Sequence, residues 1–143
     1  MSNLTAVNSV IMLSIAGLYP QAQQLVGYTA DDVFDLEDID VAETVMGIDG
    51  ILSAGLIYVA IPWTITLQGN STSSDIFDNW YQFQLAQGDV TPAAMNITLP
   101  GLKRKWVYGN GFLKKYSPAP SVKKLIQPRK FMIEWNSIAV APQ

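Results

Sequence analysis

The chain has 143 residues, no cysteine, no histidine and a formal net charge of −3 at pH 7. The lack of cysteine excludes disulfides, thiolate metal sites and thiol nucleophiles, and the lack of histidine removes the commonest general base and transition-metal ligand. Hydrophobic residues make up 49% of the sequence and charged residues only 15%, against roughly 25% in an average soluble domain. This surplus of apolar side chains predicts that other protein covers much of the surface, with an unusually apolar monomer as the alternative.

We predict a single domain over 1–143, long enough to bury about two-thirds of its extended surface. The apolar run at 10–16 has no basic residue ahead of it, so it lacks the opening of a secretory signal. Residues 50–74 carry no charge, but Gly55, Pro62 and alternating threonines favour strands over a membrane helix. We therefore expect a soluble protein without a membrane partner.

The first predicted elements are a Val- and Ile-rich strand at 5–15, a turn at 17–20 and a hairpin partner at 23–28. Residues 29–43 are strongly acidic, with apolar side chains spaced among the charges. A segment of this length exceeds an ordinary hairpin loop, which favours a functional role. We predict an extended acidic arm over about 29–43 that contacts other subunits, with a solvated loop as the alternative.

A tight turn is predicted at Gly47-Ile-Asp49-Gly50. The two glycines permit positive φ, and the carboxylate of Asp49 can accept hydrogen bonds from nearby backbone amides. Residues 51–68 then supply one or two strands, because apolar and other side chains alternate at 61–68 with the period of a half-buried strand.

Residues 73–87 give the one convincing helix pattern. Ser73 offers an N-cap, Asp75 and Asp78 fall in the first turn, and Gly88 closes the far end. Side chains three or four positions apart form an apolar face that can pack on a sheet. These side chains are Ile76, Phe77, Trp80, Tyr81 and Leu85.

The last third of the sequence predicts a hairpin of 95–99 with 103–108, a bulge at 109–111 and a continuing strand at 112–116. A final strand is predicted at 129–138, where large apolar side chains alternate with Lys130, Met132 and Glu134. We expect this strand and 61–68 to be the backbone of one sheet. The predicted fold is mainly β, an antiparallel two-sheet sandwich or partly closed barrel with one flanking α-helix.

Charge is divided along the chain. All nine basic residues lie at or after position 103 and eleven of the twelve acids precede it, so residues 1–102 carry −11 and residues 103–143 carry +8. Three explanations are open: a nucleic-acid surface on the basic half, contact between the acidic segment of one copy and the basic segment of another, or neutralisation within one monomer.

Contact between copies is the explanation we favour, and it predicts a set of contact residues in two groups. The acidic group is Asp31, Asp32, Phe34, Asp35, Leu36, Asp38 and Asp40, and the basic group is Lys103, Arg104, Lys105, Lys123, Lys124 and Arg129.

No catalytic residue, cofactor site or metal site is predicted. Paired carboxylates occur only in the acidic segment, and their spacing does not match a calcium loop. The sequence contains neither a glycine-rich phosphate loop nor a nucleophile elbow.

Three motifs in order resemble the tail tube proteins of contractile-tailed bacteriophages. They are the turn at 47–50 followed by Ser53 and a strand, the stretch 64–80 with its Ser-rich turn and aromatic helix, and the closing pattern from Leu125 through Trp135. The resemblance covers nearly the whole chain after Val7. The type VI secretion tube is similar in architecture, so a tube of that kind is an alternative.

The resemblance implies a structural virion protein of the tail, made in the host bacterial cytoplasm. Six copies would form a ring whose inner sheets join around a channel, and rings would stack head-to-tail into a tube. Its partners would be further copies, a sheath protein, a tape-measure protein and DNA that passes through the lumen without sequence-specific binding. Alternatives from other classes are a nucleic-acid-binding β domain that uses the basic half, and a small-ligand barrel or carboxylate-based enzyme.

Overall fold

The structure, a computed structural model, describes residues 9–26, 34–69, 71–99, 102–119, 122 and 125–142. The predicted strand residues 5–8 and 27–28 lie outside these ranges. The elements are β1 (Val10–Ile15), β2 (Tyr19–Gln24), β3 (Phe34–Leu36), β4 (Ala42–Met46), β5 (Leu52–Leu56), β6 (Ile61–Leu67), α1 (Ser74–Gln87), β7 (Ala93–Leu99), β8 (Arg104–Lys115) and β9 (Arg129–Pro142). Across the described ranges, no helix has the length and apolar character needed to cross a membrane.

Two antiparallel sheets confirm the mainly β prediction. The large sheet has the strand order β2-β1-β7-β8-β9-β6-β3, and β4 pairs with β5 in a separate two-stranded sheet. Strands β2 and β3 lie at opposite margins of the large sheet, and in the described part of the chain they do not pair with each other. The arrangement is therefore open and not a closed barrel.

Strands β6 and β9 belong to one sheet, as predicted, and within it they pair directly. Trp63 lies opposite Ile133 and Ile65 opposite Phe131, and all four side chains are fully buried. Residues directly opposite each other in an antiparallel pair project to the same face of the sheet. The pairing therefore builds a continuous apolar row, to which β1, β7 and α1 add their own buried side chains.

Helix α1 packs its aromatic side chains on this row. Phe77 stacks on Phe131 with ring centroids 4.3 Å apart, and the indole N–H of Trp80 donates to the carbonyl oxygen of Thr91 at 3.1 Å. Gly88 ends the helix with a φ of +77°, and its N–H donates to the carbonyl oxygen of Gln84. A left-handed residue of this kind is the common helix terminator.

The acidic residue of the first helical turn is Asp75, and contrary to the prediction Asp78 lies beyond that turn. Two further details of the predicted helix are wrong. The hydroxyl of Ser73 makes no cap hydrogen bond and instead accepts one from the backbone N–H of Val26 at 2.7 Å. Leu85 is 59% exposed, so the apolar face is shorter than its spacing predicts. In both cases the tertiary position of the helix, which spacing alone does not give, determines what each side chain meets.

The glycine-rich stretch in β8 forms the predicted irregularity. Asn110 has a φ of +56°, and the β7–β8 register shifts between Ala93 and Met95. A side chain at Gly111 would overlap the indole ring of Trp135. Glycine at this position therefore lets β8 lie closely against β9.

Because the continuous apolar row lies on one face of β9, substitutions on the two faces should have different effects on the free energy of unfolding. Replacing the fully buried Ile133 with alanine should lower the free energy of unfolding by about 2–5 kcal/mol, because the lost methyl groups leave a cavity. The matched control is Lys130→Ala on the exposed face of the same strand, which should change it by less than about 0.5 kcal/mol. Urea denaturation of both variants measures the difference, and equal effects would contradict the assigned register.

Candidate assembly surface

Strands β4 and β5 form a hairpin around residues 47–50. The N–H of Gly47 donates to the carbonyl oxygen of Ile51 at 2.9 Å, and the N–H of Gly50 donates to the carbonyl oxygen of Gly47 at 3.0 Å. Asp49 Oδ1 accepts from the N–H of Ile51 at 3.1 Å, and Gly50 has a φ of +82°. Gly47, Asp49 and Gly50 therefore each have a backbone conformation or a hydrogen bond that suits their chemistry.

The hairpin 42–56, called the arm hairpin below, is exposed on both faces. Its register places Met46 opposite Leu52 and Ala42 opposite Leu56, so these side chains share one face. Met46 is 63% exposed, Leu52 59% and Leu56 71%. This face is apolar throughout except for one threonine, whereas the other carries Glu43 and Ser53.

An isolated two-stranded hairpin is marginally stable in water, and a contiguous apolar face usually marks a contact with another molecule. Within the described residues the arm hairpin forms a sheet of its own and adds no strand to the large sheet. Covering an exposed Leu or Met side chain contributes about 1.5–3 kcal/mol. The arm hairpin is therefore the strongest candidate for an assembly contact.

A cleft of about 890 Å³ opens at the foot of the arm hairpin. One wall includes Val41 and Tyr58, and the other includes Phe112 of β8 and Trp135 and Ile138 of β9. Lys114 and Glu134, which form an ion pair, also line it. This space, called the base cleft below, is mostly apolar and has room for a further chain segment.

The acidic segment is placed differently from the predicted extended arm. Residues 34–36 are strand β3, which pairs with β6 at the margin of the large sheet. Phe34 packs on Trp63 with ring centroids 5.7 Å apart, so its ring is used partly within the subunit. Asp35, Leu36, Asp38 and Asp40 are exposed, whereas Asp31 and Asp32 lie outside the described residues. The element that projects from the sheet is the arm hairpin, which starts at residue 42.

The predicted basic contact residues separate into three groups. Lys103 and Arg104 are exposed and Lys105 is half-buried, at the start of β8. Lys123 and Lys124 lie outside the described residues. Among the described charges the ion pairs are Lys114–Glu134 and Arg129–Asp78, so neither the acids at 35–40 nor the bases at 103–105 are neutralised there within the subunit.

Arg129 was predicted to contact another subunit, but the structure buries it inside its own subunit. Its guanidinium donates to both carboxylate oxygens of Asp78, at 2.7 and 3.2 Å, and to the carbonyl oxygen of Ser117 at 2.6 Å. It also lies 5.0 Å from the ring centroid of Phe131. Arg129 thus ties α1 to the start of β9, and the basic residues available to a neighbour are the exposed ones.

Burial by itself raises the pKa of Asp78, but hydrogen bonds from Arg129 and from the hydroxyl of Tyr116 outweigh it, so the pKa is lowered overall. Hydrogen bonds to the charged form favour that form. Among the described residues, no group of His, Cys, Asp and Glu side chains is arranged to hold a metal ion.

The apolar arm hairpin was missed by the sequence analysis as a contact surface. The available signal was the long uncharged stretch after Asp49, in which apolar side chains recur without polar partners to mark a solvent face. Such a pattern also fits a fully buried strand, and spacing does not separate the two.

Comparison with known proteins gives one family. A family model described as "Tail fiber protein gp32" matches residues 2–139. No curated protein sequence matches the chain.

Several solved structures have the same fold. A chain of the sheath-tube complex of an extracellular contractile injection system (PVC) aligns with a TM-score of 0.65 and 12% identity, covering 93% of this chain and 88% of that one. A chain of the anti-feeding prophage cap aligns at 0.66 and 11%, covering 100% and 93%. A chain of the anti-feeding prophage baseplate aligns at 0.60 and 8%, covering 99% and 98%.

The Asp78–Arg129 pair predicts a pH-dependent stability. Because folding lowers the pKa of Asp78, its contribution is complete above the ordinary aspartate pKa of about 3.9 and is lost as the pH falls through the lower folded-state pKa. Asp78→Asn should lower the free energy of unfolding by about 1.5–3 kcal/mol at pH 7. Below about pH 4, the difference in free energy of unfolding between this variant and the unmodified protein should become smaller. Asp75→Asn, at an exposed carboxylate in the first turn of the same helix, is the control and should cost less than about 1 kcal/mol. A gap that stays constant with pH would contradict the ion pair.

Proposed function

We propose that this chain, which belongs to the tail fiber protein gp32 family, is a structural tail protein whose copies assemble head-to-tail into stacked hexameric rings. The rings would form the inner tube of a contractile tail. The family description names a fiber, and the fold shared with chains from a sheath-tube complex and a tube-terminating cap is what supports a tube.

The observation that carries the proposal is the exposed apolar face of the arm hairpin. A subunit that remained alone would keep Met46, Leu52 and Leu56 in water. A second copy is the natural cover, because head-to-tail assembly gives every arm hairpin a partner and repeats the same contact along the tube. The arm would thus reach from one ring to its neighbour.

Unpaired charges support the same arrangement. The acids at 35–40 lie in β3 and just after it, at one margin of the large sheet, and the bases at 103–105 lie at the start of β8. The start of β8 pairs with the end of β9, whereas β3 neighbours β6, which pairs with the beginning of β9. Surfaces of opposite sign therefore lie at different places on one subunit, as a head-to-tail interface requires.

The finer features of the proposal concern the whole tail. DNA would pass through the lumen without sequence-specific binding, a tape-measure protein would occupy the lumen before ejection, and a sheath protein would cover the outside. The protein would be made in the host bacterial cytoplasm and reside in the virion tail. A structural role of this kind needs no catalytic residue, cofactor or metal, and we propose none.

A nucleic-acid-binding role is the second candidate, because Lys103 and Arg104 are exposed and unpaired within the described residues. Trp106, which would have to stack on bases, packs instead against the buried core. Binding of single strands relies on exposed aromatic rings beside the basic residues. We therefore rank this role below assembly.

Electron microscopy of the concentrated protein tests the proposed function. We expect rings or stacked tubes with a central channel at moderate salt. A protein that stays monomeric at high concentration, by microscopy and by sedimentation velocity, would contradict the proposal. Retention on DNA that weakens steeply with salt, without any rings, would instead favour the second candidate.

The arm hairpin predicts an assembly defect that leaves the fold intact. The double variant Met46→Asp with Leu52→Asp places two charges on the apolar face and should reduce the assembled fraction at least about tenfold, because each charge would have to be desolvated at the contact. Its matched control is Ser53→Asp on the opposite face of the same hairpin, which should assemble more readily. Sedimentation velocity gives the assembled fraction, and circular dichroism checks the fold. Undiminished assembly of the double variant would show that the arm is not the contact.

Opposite charges predict a defect that a second set of changes repairs. Reversing Asp35, Asp38 and Asp40 to Lys should leave the subunit folded but impair stacking of rings, because like charges then face each other. Combining it with Lys103→Glu, Arg104→Glu and Lys105→Glu should restore stacking. Tube lengths in negative-stain micrographs measure both effects, and tubes of normal length in the first variant would contradict the charge pairing.

A further inference from the structure

The second half of β9 has an open edge. Pairing of β6 with β9 ends where Ile61 lies opposite Trp135, but β9 continues to Pro142. From Asn136 onward β9 pairs with β8 on one side, and among the described residues no strand lies on the other. These seven residues therefore present a row of free backbone donors and acceptors, which is a template for another strand. We call it the distal edge of β9.

The base cleft begins at this edge. Asn136, Ser137 and Ile138 line one side of it, and Tyr58 and Val59 line the other. The chain before β6 therefore turns away from β9 without pairing to it and leaves a gap of about 890 Å³. A strand that entered this gap would find hydrogen-bonding groups on one side and apolar side chains on the other.

Where the structure describes the chain, two other strands of the large sheet, β2 and β3, have no strand on their outer side. Strand β3 has only three residues and carries Asp35, whose charge would be costly to bury in an apolar cleft. Strand β2 has six residues, carries no charge and is mostly exposed. In length and lack of charge it matches the seven-residue distal edge. Because Pro20 has no backbone N–H, residues 21–24 would form the hydrogen bonds to β9.

We propose that the distal edge of β9 pairs with strand β2 of a second copy, which enters the base cleft beneath the arm hairpin. The inference rests on the proposed function and specifies which strands join neighbouring subunits. Strands β2, β1, β7, β8 and β9 alternate in direction, so β2 and β9 point the same way. If one copy is related to the next by a rotation that continues the sheet, β2 of one copy and β9 of the other run parallel at the new joint.

Engineered disulfides test this joint, because the chain has no cysteine of its own. On successive strands of the large sheet, the residues that lie opposite each other form one row across it. This row consists of Gln24, Met12, Asn96, Val107 and Ala139. Gln24 and Ala139 therefore project on the same face, and both are exposed. Ala22 lies two residues along β2 on that face and allows for a different register between copies.

The test variants are Gln24→Cys with Ala139→Cys, and Ala22→Cys with Ala139→Cys. Oxidation of assembled protein should convert most of at least one variant into a ladder of covalent oligomers that ends at the closed ring. Each single-cysteine variant is a control and should give dimers at most. Asp35→Cys with Ala139→Cys is the matched control for the β3 margin and should give no ladder.

The outcomes distinguish a failure of the β2–β9 joint from a failure of the proposed function. Rings or tubes in micrographs without a ladder from either β2 variant would overturn the β2–β9 joint and leave the assembly role standing. A ladder from the Asp35 variant would assign the joint to β3 instead. Absence of any assembly, with circular dichroism showing folded protein, would contradict the proposed function and the joint together.

Discussion

The pairing of β6 with β9 is the constraint on which the rest of the structure depends. Buried side chains on the two strands lie opposite each other, and helix α1 adds Phe77 by stacking on Phe131 of β9. Arg129, the first residue of β9, fixes the same helix through Asp78. Because one strand serves both its sheet neighbour and the helix, changes in its register would move every other element.

The place where this pairing stops is as important as the pairing itself. The residues that precede Ile61 lie outside the large sheet and include the arm hairpin, whereas β9 continues past Trp135 to Pro142 beside β8. One boundary thus gives the exposed arm, the base cleft and the open edge of β9. Among the described residues, the apolar side chains of the arm and the outer backbone groups of the β9 edge are left uncovered within one subunit.

Electrostatics divides the charged residues into those used within the subunit and those left for contacts. Arg129 and Asp78 have their partners inside, where burial favours a close, hydrogen-bonded pair. The acids at 35–40 and the bases Lys103 and Arg104 remain exposed and separate. At an interface, such charges contribute more to orientation and register than to affinity.

The mainly β class, the β6 and β9 strands, a helix that ends at Gln87 and the turns at 47–50 and 109–111 could all be predicted from the sequence. Each has a local cause, either a period of two or three to four residues or a glycine that permits a particular backbone angle. The burial of Arg129, the addition of residues 34–36 to the large sheet and the start of the arm hairpin at residue 42 became evident from the three-dimensional structure. These depend on which distant segments meet, and a single sequence does not encode a pairing partner in its spacing.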